Sequence, residues 1–287
     1  RTKRALMESL VLGWRALTER KSIFLAALGD AFFLGIGVAV QTLLVMFAKY
    51  GLKEYGGDLE VAALQLAPAL GMGTGCYLCG RLSGNKIELG LVPYGAIGLA
   101  VFLPLAGYWP GEAASIGGLL LHPLALLWLC LAGICSGFFV IPLRTFLQQA
   151  LKPAVRGAAL ACSNAICFLV VLLAATGAFL LQIGSMKLPR ETPEWLTDLA
   201  SRIPSFSPEH LFLCIALLTL AVTGYAMFLL PDLAVRFAVV TLTHTLYRVR
   251  ITGAGNIPES APVLLVSNHV WLVYGLLMAS CASVKIG

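Results

Sequence analysis

Apolar residues along the chain gather into long runs that short polar segments separate. A helix that crosses a bilayer needs about 20 mostly apolar residues, because the hydrocarbon core is about 30 Å thick and each residue rises about 1.5 Å. Six runs meet this length, at positions 22–48, 59–80, 87–108, 122–148, 157–183 and 210–230. The pattern therefore predicts six membrane-spanning helices. A short surface helix is also predicted at 193–202, within the proline-rich segment before the sixth run.

The pattern changes after Pro231. An amphipathic helix is predicted over 233–247, and glycine and proline residues then mark a turn. The β-branched run 263–266 is typical of a strand at the start of an α/β domain. The expected organisation is a cytoplasmic basic amphipathic linker, a six-helix bundle and the incomplete beginning of a second domain, at 1–21, 22–232 and 233–287.

Composition supports a membrane protein and excludes other classes. Apolar residues make up 59% of the 287 residues, charged residues only 12%, and the mean hydropathy is +0.88. A soluble domain carries about 25% charged residues, so this chain lacks the polar surface that a water-soluble fold needs. The same values exclude a disordered chain and a disulfide-rich secreted module.

The net charge of +6 follows the membrane topology. Basic residues stand at the ends of the apolar runs, and six of them lie in segment 1–21. Segment 108–122, on the opposite side of the predicted bundle, has no lysine or arginine. The positive-inside rule therefore predicts that both termini are cytoplasmic. This spacing does not form a phosphate-tracking stripe, so we expect no nucleic-acid partner.

Cysteines and glycines in the apolar runs are interpreted as packing residues. Cys76 and Cys79 form a C-x-x-C pair, but no second pair or nearby histidine completes a zinc site. Gly71, Gly73 and Gly75 lack the lysine of a phosphate-binding loop, and small residues at this spacing allow close helix contact. We therefore expect no metal and no resident cofactor.

A family resemblance rests on one stretch and two supporting positions. The stretch Gly137-Phe138-Phe139-Val140-Ile141-Pro142-Leu143 is followed by Leu147-Gln148-Gln149, with Gly80-Arg81-Leu82 upstream and Asn164 downstream. Together they resemble the C-terminal six-helix half of the bacterial lysophospholipid transporters of the major facilitator superfamily, over about 15–232. The resemblance implies an inner-membrane location, a lysophospholipid substrate and a missing N-terminal six-helix half as partner.

A second resemblance begins where the apolar bundle ends. Asn256-Ile257-Pro258, the run 263–266 and Ser267-Asn268-His269 resemble the opening of a glycerolipid acyltransferase domain of the 1-acylglycerol-3-phosphate type. In that family four residues separate a histidine from an aspartate, which places the general base at His269 and the aspartate position at 274. Tyr274 stands where the aspartate is expected. The resemblance therefore implies a catalytic position that is inactive in this chain.

Together the two resemblances imply a fragment of a bifunctional membrane protein. Such a protein moves lysophospholipids across the membrane and re-acylates them on the cytoplasmic side, with an acyl carrier protein or acyl-CoA thioester as acyl donor. Whether this chain is itself an enzyme stays open. Two alternatives also stay open: a membrane-anchored acyltransferase whose helices only tether it, and a facilitator for another solute.

Four polar residues inside the predicted spans are the candidate substrate-binding residues: Asp30, Gln41, Arg144 and Asn164. Asp30 either contacts substrate in the transport path or is a carboxylate capped by a basic residue such as Lys21. Arg144 either binds a phosphate of the head group or anchors its helix at the interface. Gln41 and Asn164 either line a cavity or bond between helices.

Overall fold

The computed structural model describes residues 2–52, 57–83, 89–117, 119–183, 193–204 and 206–230. Its helices and strands follow in chain order: α1 (Thr2–Thr18), α2 (Lys21–Met46), a π-helix (Phe47–Gly51), α3 (Asp58–Ser83), α4 (Leu91–Tyr108), β1 (Ala114–Ile116), β2 (Leu119–Leu121), α5 (Pro123–Ala150), α6 (Pro153–Ile183), α7 (Glu194–Arg202) and α8 (Pro208–Leu229). The helix predicted at 233–247, the strand at 263–266 and His269 lie outside the described residues.

The prediction of six spanning helices is confirmed. Among the described residues, six helices are long and apolar enough to cross a membrane: α2 with the π-helix, α3, α4, α5, α6 and α8. The helix α6 begins at Pro153, four residues before the start of the apolar run at 157. Proline is favoured in the first turn of a helix, because the missing N–H would have no intrahelical partner there.

Contacts between distant residues show how the spans are arranged. Asp30, near the start of α2, bonds Arg144, near the end of α5. Tyr108, the last residue of α4, packs its ring against His210 in the first turn of α8. These pairs are consistent with spans that alternate in direction. We name the two ends of the bundle the Lys21 end and the His122 end.

The helices α3 and α5 are joined by glycines on both sides of their contact. A Cβ atom on Gly71 of α3 would stand 2.9 Å from the carbonyl carbon of Cys130, and one on Gly133 of α5 would stand 2.9 Å from the amide nitrogen of Met72. Gly75 and Gly137 meet in the same way one turn further along each helix. The backbones touch because all four positions lack a side chain.

This contact confirms the packing interpretation for Gly71 and Gly75 and corrects it for Gly73. Apart from its own helix, no described atom lies within 4 Å of the Cβ position of Gly73, so a side chain there would contact no other described helix. Gly73 points away because it is two residues from each of the others, and residues i and i+2 lie on different faces of a helix.

Apolar side chains form the main core towards the His122 end. The rings of Phe47 in the π-helix and Phe212 in α8 meet edge to face at 5.5 Å, and both are fully buried. Leu64 of α3 and Leu129 of α5 belong to the same core and are also fully buried. The core therefore ties together helices that are distant in sequence.

Three smaller elements flank the bundle. The helix α1 packs on α6, where a Cβ atom on Gly13 would stand 2.7 Å from the Ala158 carbonyl carbon. The surface helix predicted at 193–202 is confirmed as α7. The hairpin of β1 and β2 was not predicted: its strands pair antiparallel with Ile116 opposite Leu119, and Gly117 has φ +62°. The two-glycine sequence at 117–118 is typical of such a hairpin.

A candidate polar site between three spans

A carboxylate, a guanidinium and a thiol from three different spans meet near the Lys21 end. The Arg144 side chain of α5 donates from Nε to Asp30 Oδ1 of α2, with the two atoms 2.7 Å apart. The Cys167 thiol of α6 lies 3.8 Å from Asp30 Oδ2. Asp30 is only 5% exposed. The structure thus brings together two of the four predicted site residues and adds Cys167.

Local sequence explains why α2 and α5 come close at this point. Gly29 precedes Asp30, and a Cβ atom there would stand 3.1 Å from Leu143 Cδ1. Leu143 in turn precedes Arg144. A residue without a side chain on α2 therefore faces an apolar side chain on α5, which places the next residue of each helix within bonding distance.

The structure identifies the basic residue that pairs with Asp30. The carboxylate is capped by a basic residue, but that residue is Arg144 of a distant span and not Lys21. Asp30 lies nine residues beyond Lys21, so the pair is about 14 Å along the helix from the Lys21 end. At that depth a buried carboxylate without a cationic partner is costly.

The arginine of this pair is much more exposed than the aspartate. The Arg144 side chain is 45% exposed, against 8% for the Asp30 side chain. Within the described residues, the one acceptor bonded to the guanidinium is Asp30, and the donor is Nε. No described residue bonds Nη1 or Nη2, so these donors remain for another group, in the planar fork that suits a carboxylate or phosphate.

The two predicted amides lie apart from this pair. Asn164 is exposed on α6, three residues before Cys167, and is therefore on an adjacent turn of that helix. Gln41 is exposed on α2, eleven residues beyond Asp30, which corresponds to about 16 Å along the helix. Asn164 borders the polar site, and Gln41 does not.

A second polar pair lies at the opposite end of the bundle and was not predicted. His122 Nδ1 and Glu60 Oε1 are 2.5 Å apart, and the two side chains are 3% and 1% exposed. Glu60 belongs to the first turn of α3, and His122 is the residue just before α5. Each sits at the edge of an apolar run, where a polar residue looks like an ordinary helix end. The sequence contains no signal that relates the two.

Comparison with known proteins does not extend this picture: no family model, curated protein or solved structure matches the chain. In the part of the chain that the structure describes, no three histidine, cysteine, aspartate or glutamate side chains are grouped so as to hold a metal ion. The fold itself defines a multi-pass helical membrane protein with six candidate spans.

Proposed function

We propose that the chain is the C-terminal six-helix half of a bacterial inner-membrane lysophospholipid transporter, joined to the beginning of an acyltransferase domain. The sequence resemblances carry the identity of the family, and the bundle of six apolar helices is the architecture that such a half requires. In this proposal both termini are cytoplasmic and the Lys21 end faces the cytoplasm. The re-acylating domain then continues on that side.

The proposal depends most on one observation, the partial exposure of the Arg144 side chain. Its Nε is held by a buried carboxylate, the side chain is 45% exposed, and no described residue bonds the Nη donors. The phosphate of a lysophospholipid can accept two parallel hydrogen bonds from such a fork. Asp30 is a positioning residue in this arrangement, since it holds the guanidinium and is itself almost completely buried.

Exposed amides on the spans give independent support. Asn164 and Gln41 are exposed within α6 and α2, although an amide in contact with lipid tails has no hydrogen-bond partner there. Of the most apolar stretch of α6, only 11% is buried within the chain. We propose that the second transporter half faces α6 and that the two halves enclose a polar cavity near the middle of the membrane.

The proposed mechanism follows from this placement. The amphiphilic substrate enters with its phosphate directed to Arg144 and its acyl chain against the apolar helices. Rocking of the two halves around the cavity then exposes the site to one side of the membrane and afterwards to the other. The released lysophospholipid is re-acylated on the cytoplasmic side, with acyl carrier protein or acyl-CoA as the donor, by a complete acyltransferase domain of the same parent protein.

Binding to the chain in nanodiscs tests the phosphate contact. The probes are a lysophosphatidylethanolamine and a monoacylglycerol with the same acyl chain, which lacks the phosphate. We expect Arg144→Gln to weaken lysophosphatidylethanolamine binding by about 10- to 100-fold, the value of one or two charge-assisted hydrogen bonds. Monoacylglycerol binding should not change. Arg81→Gln is the matched control, because Arg81 is an exposed arginine at the same end, bonded to Tyr77.

Three results would contradict the proposal. Equal binding of the phospholipid by the wild type and by Arg144→Gln would remove the phosphate role. Preference for an unrelated sugar or drug in a competition series would indicate a facilitator for another solute. Robust inward movement of a labelled lysolipid by vesicles that contain only this chain would show that no second half is needed.

The anchored-acyltransferase alternative makes a different prediction. It requires lysophospholipid binding to depend on 233–287 and not on Arg144. A variant with the acyltransferase positions changed, such as His269→Ala, therefore separates the two: under our proposal it binds lysophosphatidylethanolamine as the wild type does.

A further inference from the structure

A groove at the Lys21 end lies apart from the proposed substrate site. Its volume is about 350 Å³, and it runs between the last turns of α1 and the start of α6. The apolar side chains of Leu12, Ala16 and Val155 line it together with the cationic side chains of Arg15 and Lys152. A smaller hollow shares one of these walls and extends to the start of α2. The residues of the proposed substrate site line neither space.

Positive charge exceeds negative charge around this groove. The described side chains of 8–22 and 151–156 include five basic residues and two acidic ones. One of the acids, Glu19, accepts a hydrogen bond from Lys152, with Nζ and Oε1 3.1 Å apart. The neighbouring Arg20 is exposed. The groove and its surroundings therefore attract an anion.

The beginnings of two spans add to this attraction. The helix α2 begins at Lys21 and α6 begins at Pro153, and neither has an acidic residue in its first turn. Arg20, the residue before α2, makes no capping hydrogen bond with its side chain. The positive end of a helix dipole favours an anion close to it. The field of the two helix ends therefore has the same sign as that of the basic side chains.

Apolar side chains are exposed on α1 next to these charges. Gly13 and Leu17 face the bundle, whereas Val11 and Trp14 are each 48% exposed. The Trp14 ring meets the ring of Phe24 in α2 edge to face, with the centroids 5.9 Å apart. Tryptophan is typical of the level of the lipid head groups, and a helix with basic and apolar exposed side chains lies along a membrane surface. A ligand of the groove therefore meets cations and apolar side chains together.

We infer that this groove binds an anionic diacyl phospholipid, phosphatidylglycerol in chemical class, from the leaflet at the Lys21 end. Its phosphate lies between Arg15 and Lys152, and its acyl chains extend past Val11 and Trp14. A free phosphate would use only the cations, so the exposed apolar side chains favour a lipid. The bound lipid joins α1 to the beginning of α6. This inference depends neither on the transported substrate nor on the side of the membrane that the Lys21 end faces.

Mass spectrometry of the intact full chain in a non-ionic detergent tests the head group. The probes are dioleoylphosphatidylglycerol and dioleoylphosphatidylcholine, which differ only in the head group. We expect the wild type to bind phosphatidylglycerol at least about 10-fold more tightly than phosphatidylcholine. The double variant Arg15→Gln/Lys152→Gln should bind phosphatidylglycerol about 10- to 30-fold more weakly and phosphatidylcholine as the wild type does. Both side chains are exposed, so we expect this variant to fold.

A second double variant controls for the loss of charge. Arg81→Gln/Arg202→Gln removes two exposed arginines that lie outside the groove, and it should bind phosphatidylglycerol as the wild type does. Equal weakening by the two double variants, or equal binding of the two lipids by the wild type, would overturn the inference. Glycerol phosphate in large excess should not displace the lipid. Displacement by it would indicate a site for a free phosphate and would also overturn the inference.

Fluorescence quenching gives a test that leaves the cations intact. Phosphatidylglycerol with a nitroxide at the top of an acyl chain should quench the tryptophan fluorescence of the full chain more than the same label on phosphatidylcholine. Trp14→Phe should remove most of this difference. Trp109→Phe, which removes an exposed tryptophan at the His122 end, should keep it. A difference that persists unchanged in Trp14→Phe would place the lipid elsewhere and overturn the inference.

Discussion

The close contact between α3 and α5 predicts that a single added methyl group lowers the stability of the bundle. Replacing Gly71 by alanine adds a Cβ atom 2.9 Å from the carbonyl carbon of Cys130, and the oxygen of that carbonyl is closer still. Ordinary van der Waals contact begins at about 3.5 Å between carbon atoms. The obstacle is backbone and not a flexible side chain, so the two helices must move apart by about 1 Å.

The expected cost follows from two opposing effects. Forcing extra volume into a well-packed contact typically costs about 1–3 kcal/mol. Alanine favours the helical backbone over glycine by about 1 kcal/mol, which offsets part of that cost. Gly73→Ala is the matched control on the same helix, because no described atom of another element lies within 4 Å of its Cβ position. It keeps the gain of about 1 kcal/mol without the clash.

Reversible unfolding of the purified chain in mixed micelles, followed by tryptophan fluorescence, measures both variants. We expect Gly71→Ala to be less stable than Gly73→Ala by about 1–3 kcal/mol, with wild type between them. If the two variants have the same free energy of unfolding within about 0.5 kcal/mol, α3 and α5 are not in backbone contact at Gly71 and the proposed packing is wrong.

Two further predictions concern stability and use the same unfolding measurement. Arg144→Ala leaves Asp30 buried without its cation and should cost about 3 kcal/mol of folding free energy. Asp30→Asn leaves a half-exposed arginine and should cost only about 1 kcal/mol. The reverse order would contradict the assignment of Asp30 as the buried partner. Phe212→Ala should cost about 1–3 kcal/mol, less than in a soluble core, because lipid tails are as apolar as the protein interior and only packing is lost. Phe228→Ala is its control, since Phe228 is 81% exposed, and an equal loss in both variants would show that Phe212 is not packed.

The positions of the spans could be predicted because their cause is local. A run of apolar residues long enough to cross the bilayer must form its hydrogen bonds within itself, and so becomes a helix whatever its neighbours are. The helices α2 and α8 accordingly lie close to the predicted runs 22–48 and 210–230. The short hairpin of β1 and β2 could not be predicted, because a three-residue strand is too short for its alternating pattern to differ from that of a loop.

The candidate site could be predicted only in part. A carboxylate and an arginine inside apolar runs are conspicuous, because each is costly in a membrane without a partner. For Asp30 the sequence suggested the nearby Lys21 as that partner. The actual partner, Arg144, is 114 residues away and is brought near by the packing of α2 on α5. Cys167 gave no signal, since a cysteine in an apolar helix is an ordinary core residue.

By itself, the sequence determined that this is a membrane protein with six spans, and it identified the polar residues that those spans must accommodate. Only the tertiary structure decided that Asp30 is bound by Arg144, that Glu60 is bound by His122 and that Gly71 contacts α5 while Gly73 does not. The physical reason is that the two kinds of interaction act over different distances along the chain. The length of an apolar run acts within one helix, whereas partners on different helices depend on how deeply and at what rotation the helices pack.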